Sequence, residues 1–153
     1  MKAFISLVVL MAGVQSALGK PAPSTLLEMS HIEPKSSLKK SVLILVDYQN
    51  EYTTGKLPLW QIQKTIRNTV ELLQVARMSG VPVIHVIHDG GRGGLFDLTQ
   101  KAGQIIDTVK PLEGEPVIKK TFPNAFAGTE LAEVLHRYPD RDQLIVAGLM
   151  THM

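Results

Sequence analysis

The sequence has 153 residues, of which 44% are hydrophobic and 20% are charged, a composition typical of one globular domain. Its net charge of +2 is too small to indicate a nucleic-acid partner, and the densest basic stretch, KSSLKK at residues 35–40, is typical of a solvated linker. There is no cysteine, so a hydrophobic core must stabilise the domain without disulfides.

The first residues have the pattern of a secretory signal peptide. Lys2 is followed by an apolar run over residues 3–14, and the small residues Ala17 and Gly19 stand before Lys20. The run is too short to span a bilayer core, which needs about 20 residues. A buried first helix or strand is the alternative. We predict a signal peptide at 1–19, a Pro/Ser/Lys-rich leader arm at 20–40, and a secreted mature protein without a membrane segment.

The next part of the chain alternates between strand and helix patterns. The run VLILV at residues 42–46 predicts a strand buried on both faces. Apolar residues at helical spacing predict a helix over 61–78, which Gly80 and Pro82 end. A second buried strand, VPVIHVI at 81–87, leads into the glycine-rich loop DGGRGG at 89–94.

The alternation continues to the end of the sequence. Residues 95–115 predict a short helical piece and a loop, and EPVIKK at 115–120 predicts a third strand. A helix over 129–137, with Thr129 as its cap, precedes the strand QLIVAG at 143–148. Strands and helices that alternate with short connections predict an α/β fold, a three-layer α/β/α Rossmann-like parallel sheet.

Polar side chains stand at the ends of these strands. Asp47 follows the first strand, His88 and Asp89 follow the second, and Lys119 and Lys120 close the third. In such sheets ligands bind beyond the carboxyl ends of the strands, so an acid and a lysine are expected to meet there as an acid/base pair. A purely structural aspartate after a buried strand is the alternative.

Four segments carry a resemblance to a known family. They are LILVDYQNEY at 43–52, GVPVIHVIHDGG at 80–91, VIKKTFPNAFAGTEL at 117–131 and LIVAGLMTHM at 144–153. In this order and spacing the sequence resembles the isochorismatase-like cysteine hydrolases, which include nicotinamidases and related amidohydrolases. The resemblance covers residues 41–153 and implies one hydrolase domain over that range.

The resemblance implies a catalytic triad of Asp, Lys and Cys. Asp47 and Lys120 match the first two, whereas Lys119 would point to the other face of its strand. The cysteine would fall one position beyond Met153, so the domain is expected to be incomplete at its C-terminus. The turn that carries Met150, Thr151 and Met153 would form part of the oxyanion hole.

Other residues have both a functional and a structural interpretation. Gln49 either orients substrate or makes a structural hydrogen bond, and His88 is a candidate for the pocket, whereas His85 is expected to be a satisfied core or interface histidine. Phe126 either lines the pocket or packs. The DGGRGG loop either cradles an anion or forms a flexible rim. The Asp-x-His metal motif of nicotinamidases is absent, so neither a metal nor a cofactor is expected.

Two functional hypotheses follow. In the first, the protein is a secreted isochorismatase-like hydrolase that cleaves a small amide, imide or related C–N substrate by Asp-Lys-Cys nucleophilic catalysis, and it forms a homo-oligomer at full length. In the second, it is a catalytically inactive secreted relative that binds a small molecule or a protein partner. The family also includes vinyl-ether hydrolases that rely on the Asp as an acid, but the "THM" segment is closer to the cysteine-bearing branch.

Overall fold

The computed structural model describes residues 37–150. The predicted signal peptide, most of the leader arm, Thr151 and Met153 lie outside this range. The described chain forms four strands and two α-helices, joined by loops and short 3₁₀ turns. In chain order these are β1 (Ser41–Val46), α1 (Ile62–Met78), β2 (Val83–His88), β3 (Val117–Lys120), α2 (Leu131–Leu135) and β4 (Gln143–Gly148).

The four strands form one parallel sheet in the order β3-β2-β1-β4. Val46 at the end of β1 is in register with Val86 on one side and with Gly148 on the other. His88 at the end of β2 is in register with Lys120 at the end of β3. The carboxyl ends of all four strands therefore lie at one edge of the sheet, as the predicted fold requires.

Each face of the sheet packs against a helix. Leu43 and Leu45 of β1 belong to a cluster that contains the buried face of α1, including Leu73. Their neighbours Val42 and Ile44 point to the opposite face and belong to a second cluster with residues of α2. Since strand side chains alternate between faces, the all-apolar sequence of β1 is explained by burial on both sides, and the three-layer α/β/α prediction is confirmed.

Several element boundaries differ from the predicted ones. Strand β3 begins at Val117 rather than at residue 115, because Pro116 has no N–H to donate and contributes only its carbonyl, which accepts from His85 N at 2.8 Å. Helix α2 is shorter than predicted: Thr129 lies before it, and its hydroxyl accepts a hydrogen bond from Leu131 N at 3.3 Å. Between residues 95 and 115 the helical structure consists of two 3₁₀ turns, Lys101–Gly103 and Asp107–Val109.

An ionic network ties helix α1 to the sheet on the side of β2. Glu115 Oε2 lies 2.7 Å from Arg77 Nη2 of α1 and 3.1 Å from Nε2 of His85, which is 2% exposed. Because a carboxylate only accepts hydrogen bonds, Nε2 of His85 carries the proton. Burial lowers the pKa of His85, which favours the neutral ring. His85 is therefore the satisfied core histidine that the sequence predicted.

This network makes stability depend on pH. Burial opposes ionisation of Glu115, but its hydrogen bonds from Arg77, Leu112 and His85 prevail and lower its pKa from 4.5 to about 2. A carboxylate with a depressed pKa stabilises the folded state above its unfolded pKa, and this stability is lost as the pH falls through the folded value. The lowered pKa of His85 acts in the same direction, starting from its ordinary value of 6.5.

We predict that Glu115→Gln destabilises the protein at neutral pH and that the difference from wild type shrinks as the pH falls from 4.5 towards 2. The full difference is at most about 3.5 kcal/mol, at about 1.4 kcal/mol for each unit by which the pKa of Glu115 is lowered. Urea unfolding of both proteins at several pH values measures it. A difference that does not change over this pH window would contradict the prediction.

Candidate active site

The carboxyl edge of the sheet holds a buried ion pair. Nζ of Lys120 lies 2.8 Å from Oδ2 of Asp47, and the side chains are 4% and 11% exposed. Asp47 directly follows β1 with a positive φ of 58°, and its N–H donates to the carbonyl of Val86 at 2.8 Å. Lys120 ends β3 and reaches across the end of the intervening strand β2. The two side chains that the sequence predicted to share a pocket are thus in direct contact.

The carboxylate of Asp47 is only partly satisfied. Within residues 37–150, its second oxygen, Oδ1, is buried and has no hydrogen-bond partner. Burial raises the pKa of Asp47 above its ordinary value of 3.8, while the hydrogen bond and the positive charge of Lys120 oppose that rise. A carboxylate with an unpaired oxygen and a raised pKa is suited to accept a proton and return it.

The neighbouring lysine points away from this pair. Lys119 is exposed and is in register with Ile87, whereas the buried Lys120 is in register with His88. Consecutive strand residues point to opposite faces of a sheet. Lys119 and Ile87 therefore lie on the face opposite to Lys120 and His88. The alternation predicted from the sequence assigns the inward position to Lys120, and the geometry agrees.

Three rings stand beside the ion pair. The ring of His88 meets that of Phe96 edge to face at a centroid distance of 5.3 Å, and Phe96 meets Tyr52 at 5.2 Å. Burial, aided by the charge of Lys120, lowers the pKa of His88 and favours the neutral imidazole. Burial, with the nearby charges of Asp47 and Glu51, raises the pKa of Tyr52 to about 12, so its phenol keeps its proton.

Gln49 makes structural hydrogen bonds, the second of the two interpretations that the sequence left open, and a contact with substrate stays a prediction. It is fully buried. Its Nε2 donates to the carbonyls of His88 at 2.8 Å and Gly103 at 2.6 Å, and its Oε1 accepts from the N–H of His88 at 2.8 Å. The amide therefore binds backbone groups on two other segments and has no exposed atom for a ligand.

Glu51 positions the Phe96 ring and was not identified from the sequence. Its buried carboxylate accepts hydrogen bonds from the N–H groups of Lys56 at 2.6 Å and Phe96 at 3.3 Å. Phe96 itself has a positive φ of 59°. Glu51 and Tyr52 lie within the motif that carried the resemblance, but no sequence signal joins them to Phe96, which lies in a segment without clear periodicity.

Two N–H groups of the glycine-rich loop are occupied by carboxylates and are not free for an anion. The N–H of Gly91 donates to Asp89 Oδ1 at 3.0 Å, and that of Gly93 donates to Asp97 Oδ2 at 2.9 Å. Asp97 also accepts from Thr99, and these hydrogen bonds lower its pKa. Asp89 and Asp97 therefore occupy these two donors, and the interpretation as an anion site is wrong for Gly91 and Gly93.

Phe126 is not brought into the site's ring cluster. Its side chain is 52% exposed, and its N–H donates to Oδ1 of Asn124 at 3.0 Å within the loop that follows β3. The rings that do stand beside Asp47 are His88, Phe96 and Tyr52. A pocket role for Phe126 stays a prediction that the described contacts do not support.

The turn after β4 approaches the site from the other neighbour of β1. The N–H of Leu149 donates to the carbonyl of Val46 at 3.1 Å, directly before Asp47. The Leu149–Met150 peptide bond is cis, and Met150 packs against the core cluster that contains Leu43 and Tyr52. The other predicted oxyanion-hole residues, Thr151 and Met153, lie outside the described residues.

Two classes of feature are absent from the part of the chain that the structure describes. Between residues 37 and 150, no group of three or more His, Cys, Asp or Glu residues is arranged to hold a metal ion. Over the same residues, no helix has the length and apolar character needed to cross a membrane.

Comparison with known proteins identifies the family. The isochorismatase domain model matches residues 41–153, most of the chain. The chain therefore belongs to the isochorismatase family. It is similar to a solved structure of an isochorismatase from Pseudomonas putida KT2440, with a TM-score of 0.76 and 42% identity, over 86% of this chain and 68% of that one.

Two curated relatives differ in what their names describe. The secreted isochorismatase effector Isc1 of Verticillium dahliae is 35% identical over 144 residues, which are 94% of this chain and 70% of that protein. The maleamate amidohydrolase of Pseudomonas putida is 28% identical over 130 residues, 74% of this chain and 61% of its own length. The family thus includes proteins that act on small molecules.

We predict that Gln49→Leu lowers the free energy of unfolding by at least about 2 kcal/mol, since the substitution leaves buried backbone groups of His88 and Gly103 without partners. Gln49→Glu is expected to be worse, because a carboxylate cannot donate to the two carbonyls. The matched control is Gln63→Leu on the exposed face of α1, expected within about 0.5 kcal/mol of wild type. Equal urea midpoints for the two leucine variants would show that Gln49 is not structural.

Proposed function

We propose that this protein is a secreted isochorismatase-like hydrolase that cleaves a C–N bond in a small amide, imide or related substrate. The observation that supports this most is the buried ion pair of Asp47 and Lys120 at the carboxyl edge of the sheet, where one carboxylate oxygen is left unpaired. Burying two charges costs free energy, and apolar side chains at the same positions would pack without that cost. The pair also lies at the carboxyl edge, where parallel α/β sheets bind ligands.

In the proposed mechanism the nucleophile is the thiol of a cysteine that follows Met153, the position that the family resemblance assigns to it. Asp47 accepts the thiol proton, and Lys120 stabilises the resulting thiolate and holds the carboxylate in place. The thiolate attacks the carbonyl carbon, the C–N bond breaks, and Asp47 returns the proton to the leaving nitrogen. Water then hydrolyses the acyl-enzyme and restores the thiol.

The surroundings of Asp47 restrict the substrate that this mechanism accepts. The neutral His88, the Phe96 ring and the protonated Tyr52 offer no positive charge beyond that of Lys120, which is already paired with Asp47. A small, planar carbonyl compound fits an environment of ring edges and hydrogen-bonding groups. The amidohydrolase activity named for the Pseudomonas putida relative supports a small amide as the substrate class.

Stabilisation of the oxyanion is assigned to N–H groups after Leu149. The N–H of Leu149 already donates to Val46, so it has no capacity for substrate. The next donors along the chain belong to Met150, Thr151 and Met153, which the resemblance places in the oxyanion-hole turn. Backbone donors aimed at the developing negative charge lower the barrier of acyl transfer.

The alternative proposal is a relative that binds a small molecule or a protein partner without turnover. The position that the resemblance assigns to the cysteine follows Met153, so the 153 residues do not distinguish the two proposals. Reading the coding sequence beyond Met153 distinguishes the two proposals. An in-frame Cys directly after Met153 supports hydrolysis, whereas a stop codon at that position supports the binding protein.

We predict that Asp47→Asn and Lys120→Met each reduce kcat/KM by at least about 100-fold in the product of the coding sequence extended through the cysteine, because general acid–base catalysis contributes about 10²–10⁴-fold. Ammonia release from a panel of small primary amides that includes maleamate measures the activity. Asp140→Asn and Lys64→Met alter exposed residues of the same types and serve as controls.

Each single variant leaves one buried charge unpaired, which can destabilise the fold. The double variant Asp47→Asn/Lys120→Met buries no unpaired charge and is expected to fold, as far-UV circular dichroism will show, and to remain inactive. Retention of wild-type activity by Asp47→Asn, or by the folded double variant, would overturn the proposed mechanism.

Secretion is a separate part of the proposal. The signal-peptide pattern of residues 1–19 and the secreted relative in Verticillium dahliae support it. We predict that expression in a secreting eukaryotic host releases protein that begins at Lys20, as N-terminal sequencing will show. Secreted protein that still begins at Met1, or protein retained in the cells with an intact N-terminus, would contradict the prediction.

A further inference from the structure

A shallow, solvent-open cavity of about 440 Å³ lies behind the sheet, on the opposite face of β3 from Lys120. Its lining includes Lys119 of β3, its register partner Ile87 of β2, and part of the 98–111 segment. Because Lys119 and Ile87 point away from Lys120 and His88, the sheet separates this cavity from the Asp47–Lys120 pair. The cavity is therefore not part of the proposed active site.

The walls of the cavity are apolar and its charges are positive. Ile87, Leu98, Ile105 and Pro111 supply the apolar surface. The two charged lining residues are Lys110 and Lys119. Lys110 forms an ion pair with Asp107 at 2.6 Å, whereas within residues 37–150 no carboxylate lies at ion-pair distance from Lys119. Lys119 is thus available to bind an anion beside an apolar surface.

The segment that forms the outer wall is held in place by distant residues. The carbonyl of Gly103 accepts from Gln49 Nε2 at 2.6 Å, and the carbonyl of Lys110 accepts from Arg77 Nη2 of α1 at 2.8 Å. Between these points, the N–H of Ile106 donates to Tyr48 O at 2.9 Å. The cavity wall is consequently preformed, which lowers the entropic cost of binding a ligand.

We propose that this cavity is a second binding site, for a small organic anion with an apolar body, such as an aryl carboxylate. Its volume falls in the range of small-molecule sites, about 300–1,000 Å³. Lys119 pairs with the carboxylate of the ligand, and the side chains of Ile87, Leu98, Ile105 and Pro111 contact its apolar part. Since a different face of the sheet carries this site, it does not depend on the hydrolase proposal.

The test uses the full chain, with 1-naphthoate as the probe and the uncharged 1-naphthylmethanol as its matched control. Titrations followed by ¹H–¹⁵N NMR are expected to shift the amides of Leu98, Gly103 and Lys119 with naphthoate, and to give much weaker binding of the alcohol. Lys119→Gln is expected to weaken naphthoate binding about tenfold, the effect of losing one charge-assisted hydrogen bond. Lys64→Gln, an exposed substitution on α1, is expected to leave the affinity unchanged.

Three results would overturn the proposal. The first is a dissociation constant for naphthoate weaker than about 10 mM. The second is binding that Lys119→Gln does not change, or that shifts the amides of Asp47 and His88 rather than those of the cavity, which would place the probe elsewhere. The third is a change of sedimentation coefficient on Lys119→Gln without a change in naphthoate affinity, which would show that a second copy of the chain covers this face.

Discussion

The pairing of Asp47 with Lys120 places the strongest constraint on this fold. Taking two opposite charges out of water costs free energy, which their attraction offsets only when their separation is short. The pair at 2.8 Å joins the ends of two strands that are not neighbours, so the intervening strand must end at the same level. The in-register carboxyl ends of the sheet meet this condition, and the apolar cores on both faces hold the strands in that register.

The loops around the pair are fixed mainly by side chains that bind backbone. Gln49 holds the end of β2 and the turn at Gly103, and Glu51 holds the N–H of Phe96. Both residues are buried and both follow Asp47 within five positions. The short segment after β1 therefore supplies the acid and also the groups that position the rings beside it. Such positioning of the surroundings is what preorganised sites require.

The sequence predicted the parts of the structure that depend on local pattern. The apolar runs of β1, β2 and β4 and the helical spacing of α1 follow from burial on one or both faces, and strand alternation separated Lys120 from Lys119. The sequence left Gln49 with two interpretations, a substrate contact or a structural hydrogen bond, because its hydrogen-bond partners lie 39 and 54 residues away. Phe96 was missed for a similar reason: its segment has no periodicity and takes its shape from Glu51, whose sequence position carries no sign of that contact.

The two adjacent lysines of β3 serve different sites on the two faces of the sheet. Lys120 faces the buried acid, and Lys119 faces the cavity behind the sheet. A strand has only two faces, so a one-residue shift that places Lys120 where Lys119 stands would turn Lys120 towards the cavity and Thr121 towards the acid. The cavity would then receive the lysine that the acid requires, and Asp47 would be left buried without its partner. Deletion of a single residue within this four-residue strand is therefore a more severe lesion than most substitutions, because it leaves the buried acid facing a threonine in place of its lysine.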